Sequence, residues 1–556
     1  MRVSNNLLHF FGDCADIITG QTVFHIKNYA LKLYLKQLYK ILADFSVTRI
    51  HLLLSKKYFT IMQRFFSLLA VIISFIIIMQ IQSCRQDDFD TSPSLRLEFS
   101  ADSLLFDTVF TTVGSSTRYF KVYNRNNSRV NISRLELGGG TSSYFRINAD
   151  GRSGNVIQDI EIGPRDSIFV FVEVTVDPVN QDLPLIISDS VLFYINNNLQ
   201  DVKLVAWGQD AYFIRPNFQD TIYVDDEPVP IEYHLITENM IWSGLKPWVV
   251  YGLVLVAPDV TLRVEEGAKI HFHNQSALIF LSRSSFQVEG TSEDPIIFQG
   301  DRLESDYQNL PGQWGYIWLT AESRNHKIEN AIIKNATYGI VMDSIGSLTE
   351  PTLRIRNTII KNMDQTGLEL RGAWVEARNL VVANCGVHAI YMGLGGSYDF
   401  RHVTVGNYYS LPGTIRQTPS IVFNNYYIDT TNTVQVREFD KAYFGNSIIY
   451  GSLQEEILLD LYPDNSVAGF TFDHSLVRTS IHNSLGHLFE NSLFNQQPRF
   501  LDSGQNDYRL REDSPAIGEG DPNIAIDIPY DILGNSRLER VDIGAYQYYE
   551  IEEDSD

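Results

Sequence analysis

Basic residues are in short supply in this 556-residue chain: 44 Lys and Arg stand against 67 Asp and Glu. A nucleic-acid groove needs clustered positive charge to displace phosphate counterions, so this balance argues against one. Cysteine is scarcer still. Cys14, Cys84 and Cys385 are too few and too scattered for a disulfide framework or a thiolate metal cage. Cys385, followed by Gly386 in an apolar context, reads as a small buried filler. The length exceeds one compact domain, and an aromatic content of 12% belongs to a folded chain rather than a disordered one.

The exception to the dispersed apolar text is 65–81, FFSLLAVIISFIIIMQI, preceded by Arg64 and ending at Ile81-Gln82-Ser83-Cys84. A basic flank, an apolar core and a small residue before a cut site make a secretory signal. The small residue before Cys84, with an aliphatic residue three positions earlier, resembles the lipobox of bacterial lipoproteins. That resemblance implies cleavage before Cys84 and acylation of its thiol and new amino terminus, an anchor well beyond one acyl chain. An uncleaved transmembrane helix is the alternative, and seventeen residues are at the short limit for it. The lipobox reading makes 62–83 a signal peptide starting at Met62, 1–61 a mis-set start or unstructured extension, and 84–94 an acidic tether. Nine of the basic and three of the acidic residues lie in 1–83, leaving 35 against 64 in the mature chain. The tether's Arg-Gln-Asp-Asp-Phe-Asp, containing Asp87 and Asp88, resembles the signal that sends some lipoproteins to the outer face of the outer membrane. The expected location is therefore the outer membrane, lipid-anchored and surface-exposed.

Two textures follow. Residues 95–211 alternate with period two between turn residues, as in "DSIFVFVEVTVDP" (166–178) and "DVKLVAWG" (201–208), which predicts an antiparallel sandwich. Their phrasing resembles immunoglobulin-like modules, which are usually spacers or binding domains, and a stalk or packing role is expected here. From 212 the text becomes short apolar triplets followed by Asn or Gly. "IENAIIKNATYGI" (328–340), "IRNTIIKNMDQTGL" (355–368) and "ARNLVVANCGVHAI" (377–390) echo one another. The markers Asn330, Asn357, Asn379, His402, Asn424 and Asn446 lie 27, 22, 23, 22 and 22 apart, the mark of a solenoid. Triplets are too short for helices, so a parallel β-helix over 212–500 is expected. Asn335, Asn362, Asn384 and Asn407 are then inward turn residues that hydrogen-bond along their own ladder. The stretch 252–301 resembles the opening of right-handed β-helix proteins. Residues 501–550 resemble the C-terminal segment of exported β-helix proteins, which implies a cap on the last coil, followed by an acidic tail, 551–556. Together these resemblances indicate a family of pectin-lyase-like β-helix surface lipoproteins.

That fold hosts polysaccharide lyases and hydrolases, but fold does not decide function. The Asn-Thr-Asp, paired Asp-Asp and Gly-His-Gly of polygalacturonases are not found in the repeats; the Asp-Asp pairs at 87–88 and 225–226 lie outside them. Arg354, Arg356 and Arg371 read as a solvated stripe, with Asp343 and Asp364 the nearby acids. His388, Tyr391, Asp399, Arg401 and His402 form the densest polar set, and His388, Asp399 and His402 are the catalytic candidates if catalysis occurs. In "YQNLPGQWGYIWL" (307–319), Trp314, Tyr316 and Trp318 alternate, so one strand face is expected to carry three rings on which a sugar stacks. The alternative is that this face is interior.

The expected function is non-catalytic binding of glycan or another envelope component by a surface lipoprotein. A polysaccharide lyase or glycoside hydrolase is the first alternative, and a structural envelope scaffold the second. No metal site and no cofactor is expected, calcium entering only with the lyase alternative. Expected partners are the membrane, through the lipid anchor, and polysaccharide or another envelope component, not nucleic acid.

Overall fold

The computed structural model describes residues 89–550, apart from 111–114, 116, 176–184, 225–226, 345–348 and 464–466. The extension, the signal peptide, Cys84, Asp87 and Asp88, the Asp225–Asp226 pair and the acidic tail lie outside the described residues. The described chain is nearly all β, its one α-helix spanning Pro522–Ala525.

Residues 98–209 form two five-stranded sheets. The first runs Glu98–Phe99, Arg118–Tyr123, Ser167–Val174, Phe145–Ala149, Arg152–Ser153, all antiparallel. The second runs Ser103–Phe110, Asn198–Gln209, Leu185–Ile195, Val130–Leu137, Val156–Ile162, with its first pair parallel. Alternation does what period two requires: in Ser167–Val174 every second residue is buried. Val170, Val172 and Val174 meet Val191, Phe193 and Ile195 in one core.

From Tyr212 onward a 24-stranded parallel assembly closes around a second core. After one antiparallel hairpin, Phe218–Val224 with Glu227–Ile236, the strands stack in register on strands one level further along the chain. Three interior columns result. One runs Leu278, Ile317, Ile340, Leu368, Ile390, Ile421, Ile457. A second runs Val288, Ile328, Ile355, Ala377, Phe400, Phe444, Phe472. The third runs Phe298, Ile333, Ile360, Val382, Val405, Ile449, Val477. Each step is one strand spacing, roughly 4.8 Å.

Five of the six periodic markers stand where the chain turns between ladders, while Asn424 ends the first-ladder strand Ile421–Asn424. Asn330, Asn357, Asn379, His402, Asn446, His474 and Asn491 all have φ between 43° and 53°, the left-handed region that Asn and His enter most readily among side-chain-bearing residues. Asn379 Nδ2 donates to Asn357 Oδ1 at 2.9 Å, and Asn362 Nδ2 to Asn335 Oδ1 at 3.3 Å. The remaining two expected ladder residues behave differently. Asn384 donates to Asn506 and accepts from the Tyr408 amide, while Asn407, at ordinary φ, accepts from the Cys385 amide.

A C-terminal segment follows the last level. It folds against the flank of the third ladder, whose outward column, Ile359, Val381, Thr404, Ile448, Leu476, is nearly as apolar as the inward one. Phe500, Tyr508, Leu510, Ile543, Ala545 and Tyr546 cover it. Strands buried on both faces read as unbroken apolar runs, the physical origin of triplets such as "LVV" (380–382) and "IIY" (448–450). Polar bonds fix the alignment: His402 to the Gly544 carbonyl, Asn446 to both Asp521 backbone groups, and Asn379 to the Tyr530 carbonyl.

One fully buried ion pair fastens the excursion 408–420 to the ladder. Arg416 Nη2 lies 2.7 Å from Glu456 Oε1, both side chains at zero exposure. Arg416 also donates to the Thr418 and Asn407 carbonyls, and Glu456 accepts from the Ser420 amide and hydroxyl and the Leu453 amide. Removing one partner leaves an uncompensated buried charge. Glu456→Ala should therefore lower stability by roughly 3–5 kcal/mol, read as a fall in the urea midpoint, and Arg416→Met combined with Glu456→Leu should recover part of that loss.

Candidate functional site

The outward face of the first ladder changes character along its length. Its central column runs Leu255, Ile279, Trp318, Val341, Glu369, Tyr391, Val422, Leu458. Beside it Asp343 pairs with Arg371, Arg371 with Gly393, and Asn424 with Asp460. The early part is an apolar cluster of Leu255, Ile279, Trp318 and Val341, against which Tyr316 and Tyr338 pack. The later part is polar and half-open.

Where the two meet, Trp318 Nε1 donates to Asp343 Oδ2 at 2.6 Å, and Arg371 Nε approaches Asp343 Oδ1 at 2.8 Å. Arg371 is thus joined to an acid rather than standing in a solvated stripe. Burial raises the Glu369 carboxyl, with Arg371 and a Thr366 hydrogen bond opposing and Asp343 adding to the rise. One level on, the Tyr391 ring lies across Gly393. A Cβ on that glycine would stand 2.5 Å from Tyr391 Cε1 and 3.0 Å from its Cζ and hydroxyl, so only glycine provides the floor for the ring. Burial, then Glu369 and Asp460, raise the Tyr391 hydroxyl. His388 stacks beside Tyr391 at 6.0 Å, with its Nδ1 2.7 Å from the Pro419 carbonyl, which only accepts. Burial holds this imidazole below its ordinary value. Beyond Gly393, Asp460 accepts from Asn424 Nδ2 and from the Tyr426 hydroxyl, both at 3.0 Å. A flat ring bordered by carboxylates, an amide and a guanidinium can stack on the C–H face of a sugar and bond its hydroxyls.

The expected three-ring platform does not form. Trp314 is buried in the core, stacked on Phe272 at 4.2 Å and 8°, with Nε1 donating to the Lys334 carbonyl. The strand begins only at Ile317, Trp314 forms an isolated bridge with Ala336, and Gly315 lies so close to the preceding level that a Cβ would meet the Ser276 carbonyl at 3.0 Å. Period two therefore does not extend back to Trp314. Tyr316 and Trp318 do share the outward cluster, their rings edge to face at 6.4 Å.

Nor do the three catalytic candidates meet: His388, Asp399 and His402 face different surroundings and share no hydrogen bond. Asp399 lies on the outward face of the second ladder between Arg378, Arg401 and Lys441, at 3.0, 2.8 and 2.5 Å. Burial pushes its carboxyl up, but those cations outweigh it and hold the group below its ordinary value. His402 is a buried corner residue, donating from Nδ1 to the Gly544 carbonyl and accepting at Nε2 from Asn446. Burial, then Arg537, keeps it neutral. Cys385 is buried, its thiol pushed up to about 12 by that burial. Among the described residues, Asp473, His474 and Asp521 place potential ligand atoms within 4.8 Å of one another. Asp473 is already engaged by His474 at 2.7 Å and by the Tyr443 hydroxyl at 3.2 Å.

Sequence reasoning found His388 and Tyr391 but missed Glu369, Gly393, Asn424 and Asp460 as their neighbours. The signal is the outward letter in "LELR", "IYMG", "IVFN" and "ILLD". Steps of 22, 31 and 36 residues between those strands hide the alignment. Gly393→Ala should leave the urea midpoint nearly unchanged yet displace the Tyr391 ring, seen as a changed tyrosine near-ultraviolet dichroism.

No protein-family model matches the chain, and no curated protein matches it. Among solved structures it is similar to a family 123 glycoside hydrolase from Clostridium perfringens, at 8% identity over 21% of this chain and a TM-score of 0.15. The chain spans 26% of that enzyme. It is also similar to an ASH/PapD-like domain of human CEP192, at 10% identity over 22% of this chain and 95% of that domain, TM-score 0.15. A third similarity is to the catalytic domain of a GH87 alpha-1,3-glucanase, at 9% identity over 64% of this chain and 91% of that one, TM-score 0.12. Likenesses this slight carry no argument about activity.

Proposed function

We propose that this chain is a lipid-anchored protein of the outer membrane, exposed at the cell surface, that binds glycan without cleaving it. In this reading Cys84 carries the acyl chains, and the two five-stranded sheets are an immunoglobulin-like spacer. The parallel ladders are a right-handed β-helix whose first face holds the sugar chain. The observation that carries the binding reading is the Tyr391 ring laid over Gly393 between Glu369, Arg371 and the Asn424–Asp460 pair. A ring seated flat on a glycine floor loses little entropy on binding, and the flanking groups are already held by their own partners.

A second reading, hydrolysis or elimination of a polysaccharide, is favoured by one observation. Glu369, with its raised carboxyl, shares a face with Asp343 and Arg371, and acid–base chemistry on a glycosidic bond uses two carboxyl groups in unlike environments.

Incubating the full chain with a polysaccharide panel, scoring retention and product release together, separates the two. Retention without product, weakened roughly tenfold by Tyr391→Ala, is the expected result. Product release that disappears in Glu369→Gln would establish the second reading instead. For the anchor, Cys84→Ser should abolish incorporation of labelled palmitate and move the protein out of the membrane fraction; unchanged labelling would refute the lipidated cysteine.

A further inference from the structure

The sandwich expected to serve only as a spacer carries three aromatic rings that its core does not use. Tyr119, Phe169 and Phe171 point outward from adjacent strands of the first sheet and are 56, 39 and 40% exposed. The inward residues between them, Phe120, Val170 and Val172, are the ones that enter the sandwich core. The rings form one group: Tyr119 lies 5.3 Å from Phe169 and 5.8 Å from Phe171, and Phe169 and Phe171 are 5.9 Å apart with planes within 17°.

Register shows how the surface continues. Tyr119 pairs with Phe171, Phe171 with Asn148, and Asn148 with Ser153. One row thus crosses four strands, roughly 14 Å at ordinary strand spacing, and passes from two rings to an amide and a hydroxyl. Asn148 Nδ2 donates to Ser153 Oγ at 2.8 Å. On one side of the row, Arg146 and Glu173 oppose one another at 3.6 Å; on the other, Lys121 sits 4.7 Å above the Phe169 ring. An open groove of about 720 Å³, lined by Thr117, Arg146, Asn148, Ser153, Phe171 and Glu173 among others, runs beside the rings.

This mixture selects its occupant. The core of a protein interface is a contiguous apolar patch depleted of charge, whereas here three rings end directly in an amide, a hydroxyl and an ion pair at the groove. An anionic ligand would meet Glu173, and a cationic one Arg146 and Lys121. A ligand with apolar C–H faces, hydroxyl edges and no net charge matches every part of the row. We propose that this face of the sandwich is a second glycan-binding site, taking a neutral sugar chain laid across the strands over Tyr119 and Phe171. The inference stands apart from the ladder site. With both sites engaged on one polymer, the second contact becomes intramolecular and retention rises without any new contact.

The test is retention of the full chain, in detergent, in native gels cast with soluble β-glucan, mannan, xylan or arabinogalactan. Tyr119→Ala combined with Phe171→Ala alters only outward side chains, so an unchanged melting temperature serves as the folding control. The expected result is at least a tenfold weaker retention by one of these polymers, given the loss of two stacking rings, while Tyr391→Ala alone retains a measurable part of it. Unchanged retention of the sandwich double variant overturns the proposal, as does a wild-type chain that none of the four polymers retards. Complete loss in Tyr391→Ala with no effect of the sandwich variant leaves the ladder reading standing and removes this one. A change in oligomeric state of the sandwich variant without a change in retention would show that the rings meet a second copy, and would overturn it as well.

Discussion

In-register parallel pairing is the constraint on which the rest of the C-terminal structure depends. A strand laid on its counterpart one level along the chain places Leu368 on Ile340 and Ile390 on Leu368, and every other side chain follows. Inward residues then stack on residues of their own kind, which builds one continuous core from segments as short as three or four residues. Outward residues stack as well, so each outward face is a set of columns whose chemistry is chosen one residue per level. A slip of one residue would exchange the two sets.

The three outward faces solve different problems. On the third, apolar columns are covered by the C-terminal segment, which is itself knit by Arg537 donating to the Tyr530, Gly544 and Ala545 carbonyls. On the second, acids and bases pair across neighbouring levels and columns, as where Arg354 faces Glu376 and the buried Asp399 gathers three cations. The first is left neither covered nor uniformly charged. It passes from packed aromatics to half-buried carboxylates around Tyr391, and that unevenness sets it apart from the other two.

Corners make the stacking possible at so short a repeat. Left-handed backbone at seven Asn or His positions turns the chain between ladders without glycine, and the amide side chains then satisfy buried polar groups. At Asn379 and Asn446 they also hold the C-terminal segment. His402 shows how the same position can mislead. In the text it is a histidine near an aspartate and an arginine, while in space it is a neutral corner residue buried under Gly544.

Much of the architecture was legible without coordinates. Period-two alternation predicted the sheets of 98–209, and the recurrent Asn spacing predicted the stacked parallel strands, because periodicity is a local property that each segment carries in its own letters. The cluster around Tyr391 was not. Glu369, Tyr391, Asn424 and Asp460 become neighbours only when strands separated by 22, 31 and 36 residues are brought into register, and the intervening excursions remove any constant spacing. The misplaced Trp314 and the flank-covering C-terminal segment have the same cause. Whether a side chain faces core, solvent or another segment depends on where the strand's alternation begins, as at Ile317 rather than Trp314, and on which outward column is apolar enough to bury. Both are decided by contacts between residues far apart in the chain.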